Sequence, residues 1–168
     1  MANTLTLTGQ ANVDQASGTV DVDLRQNSVG GGIITATAQI TIRALAAPPA
    51  PTAAIVTVAS APGGARYVKI TYIGQNGETV ASPETFAGTA TAGQGVQITS
   101  PPALTGATQW RPYISATSGG ETQQGAAINI GTNYTETSAG ITTTGAAAPT
   151  TDTTGWNAGS CTVTITQP

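Results

Sequence analysis

Apolar and polar residues alternate with a period of two in several stretches, the first being Leu5-Thr6-Leu7-Thr8. That period places Leu5 and Leu7 on one face of a strand and Thr4, Thr6 and Thr8 on the other. After the turn-like Asp14-Gln15-Ala16-Ser17-Gly18, the run from Thr19 to Leu24 alternates again, with Val20, Val22 and Leu24 inward. Gly30-Gly31-Gly32 precede a longer run from Ile33 to Ile42, in which Ile34, Ala36, Ala38, Ile40 and Ile42 share a face opposite Thr35, Thr37, Gln39 and Thr41. The same rhythm returns at the far end, where Val163 and Ile165 alternate with Thr162, Thr164 and Thr166. One strand is not stable alone. The last strand therefore pairs with the N-terminal three, making the segment between them an insertion, or with another copy of the chain; the insertion needs no partner and is the arrangement expected.

The segment between is punctuated differently. Ala46-Ala47-Pro48-Pro49-Ala50-Pro51-Thr52 carries prolines that lack the N–H a ladder needs, which predicts a stiff linker over 46–52. Beyond it strand signals recur at short spacing: Ile55 to Val58, Tyr67 to Ile73 before the turn Gln75-Asn76-Gly77-Glu78, Thr85 to Thr91, Val96 to Thr99, Gln109 to Ser115, Ala127 to Ile130 and Tyr134 to Glu136. About seven short strands predict a sandwich of two sheets over 53–148. The Thr-, Ala- and Gly-rich stretch from Thr142 to Thr154 has almost no large apolar residue and reads as a second soft segment, with a linker over 149–155. The predicted fold class is all-β, a β-sandwich joined to a smaller β domain made of residues 1–45 and 156–168.

Composition agrees with sheet and removes most chemistry. The chain of 168 residues has 21 Gly and only 4% aromatics, and its charged fraction is 8%, against about 25% in ordinary soluble domains. Five Lys and Arg against eight Asp and Glu give a net charge of −3, which disfavours a nucleic-acid partner. With no histidine and one cysteine, a histidine acid–base pair, a mixed Cys/His zinc site and a disulfide framework are unavailable within the chain. No cofactor and no enzymatic activity are expected. The first residues lack the basic and apolar regions of a secretion signal, and no run approaches the roughly 18 apolar residues of a membrane span, so synthesis in the cytoplasm without membrane insertion is expected.

From Arg66 to about Ala148 the phrases Tyr67-Val68-Lys69-Ile70-Thr71-Tyr72, Gly77-Glu78-Thr79-Val80-Ala81-Ser82-Pro83-Glu84, Pro101-Pro102, Gln109-Trp110-Arg111-Pro112-Tyr113-Ile114-Ser115 and Tyr134-Thr135-Glu136-Thr137 succeed one another. This succession resembles the fibronectin type III-like, immunoglobulin-type modules of tailed-bacteriophage virion proteins and of bacterial surface and carbohydrate-active proteins. The resemblance covers a little over half of the chain. It implies that the strand with Tyr67 and Tyr72 and the strand with Trp110 and Tyr113 hold the core aromatics. The fold hosts many unrelated roles, and the Cys…Trp…Cys spacing of antibody domains is missing.

Few residue groups could carry chemistry. Asp14, Asp21 and Asp23 offer carboxylates but at no calcium-loop spacing, and read as a solvated edge. Glu78 and Glu84 flank a turn instead of facing each other across a cleft, as a glycosidase pair must. Cys161 has no histidine to activate it and reads as packing or as an intermolecular cross-link. Gly30-Gly31-Gly32 lacks the Lys-Ser/Thr end of a phosphate loop. Among Tyr67, Tyr72, Trp110, Tyr113, Tyr134 and Trp156, most are assigned to the core. Trp110 with Arg111 is the candidate surface contact for a glycan, since a guanidinium can stack on the indole. Asn133-Tyr134-Thr135 fits the glycosylation pattern, which carries weight only in a secreted chain.

These observations, with the resemblance, lead to an expectation: a non-enzymatic structural protein of a phage virion, most simply a capsid decoration or head-fibre protein. Its terminal β domain attaches to the particle and the immunoglobulin-like module projects outward, many modest interfaces adding up around a symmetric shell. The candidate assembly positions are Leu5, Leu7, Val20, Val22, Ile40, Ile42, Val163 and Ile165. Expected partners are a major capsid or tail protein and copies of the chain itself, with cell-surface glycans as a further candidate for adhesion. Alternatives are a tail tube or tail fibre component, a self-polymerising β filament subunit adding strands between neighbours, and a carbohydrate-binding module acting alone.

Overall fold

The computed structural model describes residues 4–13, 20–22, 33–42 and 44–166, with side chains over 44–155. Every regular element among them is a strand: β1 (Thr4–Val13), β2 (Val20–Val22), β3 (Ile33–Ile42), β4 (Ala53–Thr57), β5 (Gly64–Gly74), β6 (Thr85–Ala90), β7 (Gln94–Ile98), β8 (Ala107–Ser115), β9 (Thr122–Gln123), β10 (Ile128–Asn129), β11 (Tyr134–Thr135) and β12 (Trp156–Thr166). The chain divides into two compact units, one of residues 1–43 with 155–168 and the other Ala44–Thr154.

The first unit holds one four-stranded sheet in the order β12-β3-β1-β2. β3 runs parallel to β1 with Thr4 opposite Ile33 and Val13 opposite Ile42, and antiparallel to β12 with Ile34 opposite Ile165. The terminal strand thus pairs within its own chain. β12 carries an irregularity between Asn157 and Ser160, and β2 closes the other edge with Ala11 opposite Val22. Asp14, Asp23 and the Gly30-Gly31-Gly32 segment lie outside the described residues.

The second unit has two antiparallel sheets. One is β10-β8-β5-β6 with β9 added to β8; the other is β11-β7-β4. Alternation in β5 puts Val68, Ile70 and Tyr72 on the buried side, and β8 contributes Trp110 and Ile114. Val68, Ile70, Trp110 and Ile114 meet Val96 and Ile98 of β7 in one core, against which Ala53, Ile55 and Tyr134 pack. Apolar rows of both sheets facing a shared interior are the arrangement that removes most apolar area from water.

Three segments differ from the reading of the sequence. Tyr67 is not a core aromatic: it takes the opposite parity from Val68 and stays partly exposed. The proline-rich stretch is built into the second unit, with Pro48 and Pro51 buried. Residues from 142 onward form a strap, not a bare connector: Thr122 bridges Ala147, Ala81 N–H donates to Pro149 O at 3.0 Å, and Thr153 N–H donates to Glu78 O at 2.9 Å. A strap held through backbone groups needs no apolar periodicity, so composition alone reads it as loose. Gly77 is required where it runs, because a Cβ there would collide with Thr153.

Candidate functional site

The registers of the terminal unit gather the eight candidate assembly positions. Leu5, Ile34 and Ile165 stand in one row, and Leu7, Ala36 and Val163 in another. Ile40 and Val22 flank Ala11, and Ile42 and Val20 flank Val13. Rows two residues apart fall on the same side of a pleated sheet. The intervening rows are threonine-rich, such as Thr6, Thr35 and Thr164 or Thr8, Thr37 and Thr162. Cys161 stands opposite Ala38, in the aliphatic set of rows.

In the second unit the Trp110–Arg111 glycan contact does not form. Trp110 is fully buried and its indole N–H donates to Thr132 O at 3.2 Å. Arg111, with the opposite strand parity, pairs with Glu78 on the outer side of the larger sheet. There Glu78 also accepts from Thr71 Oγ1 at 2.5 Å and from the Tyr113 hydroxyl at 2.6 Å. Burial first, and the Glu78 carboxylate second, push the Tyr113 phenol up to about 12.

Glu84 belongs to a separate group. It accepts from Ser118 Oγ at 2.8 Å and from Gly119 N–H at 2.8 Å. Gly119 N–H also reaches Glu121 at 3.2 Å, and Lys69 Nζ lies 2.9 Å from the other Glu121 oxygen. A hydrogen bond with the Glu121 carboxyl first, then those from Gly119 and Ser118, hold the Glu84 carboxyl down to about 2. Glu78 and Glu84 are each bound into their own network and do not face one another. Asn133 Oδ1 accepts Ser100 N–H at 2.9 Å, which commits the amide of the glycosylation pattern to a loop contact.

Comparison with protein-family models, with curated proteins and with solved structures finds no match to this chain.

Two features escaped the reading of the sequence. One is the buried pair Arg66–Glu136; Arg66 shares the strand parity of Val68 and Ile70, a position where a charge must have a partner, and that parity is the available signal. The other is Phe86, 54% exposed and the only exposed large hydrophobic among the described residues. It stands opposite Tyr67 because β6 bulges: Arg66 pairs with Gly88, yet Tyr67 pairs with Phe86, so Ala87 is the extra residue. Gly88 has φ +125°, a conformation that glycine alone adopts readily, and Ala87 turns to the core. Phe86 is thereby brought to the outer side.

Proposed function

We propose that the protein is a non-enzymatic structural component of a tailed-phage virion, a capsid decoration or head-fibre protein, attached through its terminal β unit and carrying an immunoglobulin-like or fibronectin type III-like module. The observation that supports the reading is the single sheet of the terminal unit, in which aliphatic and threonine rows alternate across three long strands. Among the described residues this unit forms one sheet, and one sheet buries an apolar side only against a second layer. Copies of the chain, or a capsid or tail protein, supply that layer in the assembled particle, and symmetry multiplies a modest interface into firm attachment. In the second unit the amide of Leu45 donates to Thr154 Oγ1 at 2.8 Å. The chain therefore enters and leaves the module side by side, the geometry in which an insertion is tolerated. The two antiparallel sheets around Trp110 support the immunoglobulin-type identity of that module.

The test is to purify particles on a density gradient from a lysate of the source culture. Constant co-sedimentation of the chain with particles, and labelling of those particles by antibody against the module, is the expected result. Recovery only in the slow-sedimenting soluble fraction overturns the proposal.

A further inference from the structure

The outer side of the larger sheet carries two consecutive rows of unlike character. Phe86, Tyr67 and Ser115 form the first, and Lys69 with Tyr113 lies in the next. Glu84 precedes β6 by one residue, and the Lys69 charge is near enough to help hold its carboxyl down. The Tyr67 and Phe86 rings lie 4.9 Å apart between centroids and are tilted by 36°, within the range of offset aromatic pairs. Beside them the polar groups are fixed: Ser118 and Gly119 hold Glu84 by one hydrogen bond each, and Glu121 holds Lys69.

An exposed aromatic ring costs solubility, and here it is exposed by a bulge that displaces the register and needs a glycine with positive φ. Its size decides the occupant. A stable protein interface needs roughly 800 Å² from each partner, with several apolar anchors. One exposed phenylalanine beside one partly exposed tyrosine falls well short of that, and matches the C–H face of a single sugar ring. The hydroxyls at the rim of such a ring need donors and acceptors already in place, which Lys69 and Glu84 provide. Glu84 is ionised and the Lys69 ammonium is already paired with Glu121, which disfavours acidic sugars.

We infer that Tyr67 and Phe86, with Lys69 and Glu84 beside them, form a binding site for a neutral pyranose unit of a polysaccharide. The site lies on the second unit. It replaces the Trp110–Arg111 contact, whose indole is buried. Affinity for one such unit is weak, in the range of about 1 mM, and repetition of the chain on a particle raises it by avidity.

The experiment uses the full-length chain. Saturation-transfer NMR and calorimetry are run against neutral oligosaccharides of glucose, mannose, galactose and N-acetylglucosamine, and against an acidic polygalacturonate. At least one neutral probe is expected to bind, with transfer concentrated on ring C–H protons. F86A and Y67A each weaken it by about tenfold, while Q97A, on the other sheet, leaves it unchanged. Circular dichroism establishes that F86A is folded, and K69M provides a second variant that keeps the aromatic pair. No binding of any neutral probe overturns the inference, as does binding that F86A leaves intact or binding confined to polygalacturonate. A fall in the oligomeric mass of F86A also overturns it, since the aromatic pair is then a contact between copies.

Discussion

Arg66 and Glu136 close a two-pronged ion pair inside the second unit, with Nε to Oε2 and Nη2 to Oε1 both at 2.7 Å. Arg66 also donates to Pro62 O at 2.7 Å, and Glu136 Oε2 accepts Val96 N–H at 2.9 Å. The pair joins β5 of one sheet to the segment after β11 of the other. Both side chains are almost wholly removed from water, so each neutralises a charge that burial would otherwise penalise heavily.

Removing one partner leaves the other charge buried. E136Q and R66M are each expected to lower stability by about 3–5 kcal/mol, read from urea unfolding of the chain. The double variant R66M/E136L is expected to recover a substantial part, because it leaves no unpaired charge. A double variant no more stable than either single one contradicts this account.

The Glu84 carboxyl ionises in the folded protein at about 2, below its ordinary value of 4.5. A depressed carboxylate stabilises the fold above its unfolded value, and that contribution is lost as pH falls from about 4.5 through about 2. E84Q is expected to flatten the stability profile over this window and to leave the profile above pH 6 parallel to that of the parent. Unfolding midpoints across an acid series check it.

Tyr113 and Tyr134 are both raised from 10.0 to about 12, by burial first and then by the carboxylates of Glu78 and Glu136 respectively. A raised phenol favours the fold below its unfolded value, and the benefit disappears as pH climbs from about 10 through about 12. Tyrosinate absorbance during alkaline titration is therefore expected to show a late-ionising class that merges with the rest once the chain is unfolded. Y113F is expected to shrink that class.

The bond from Leu45 N–H to Thr154 Oγ1 ties the two ends of the second unit, and Asp152 Oδ1 accepts from the same hydroxyl at 2.6 Å. T154V keeps the shape of the side chain but strands a buried amide. A loss of about 1–3 kcal/mol is expected in thermal or chemical unfolding of a 44–154 fragment. A version cut at 53 and 148 is expected to be less stable still, since it lacks both this tie and the strap bonds of Glu78 with Thr153.

Alternation made much of the architecture legible. The parity of Val68, Ile70 and Tyr72, and the rhythm shared by residues 33–42 and 160–166, already carry the all-β class and the strand positions. Pairings across long separations are not written in any local pattern. Arg66 and Glu136 are 70 residues apart, and neither neighbourhood names the other. Phe86 was hidden for a different reason: the extra residue at Ala87 reverses the parity that a regular β6 would impose. The strap after Thr142 is held mainly through its own backbone groups, which any sequence possesses, with the Thr153 hydroxyl adding to them.

On the proposed function the terminal strands assemble the protein while the inserted module folds alone. The solution mass, by sedimentation and light scattering, of the whole chain beside residues 44–154 separates the two roles. A trimer or larger assembly is expected for the whole chain and a folded monomer for the fragment. A full chain that stays monomeric at every concentration, or a fragment that assembles as the full chain does, contradicts it.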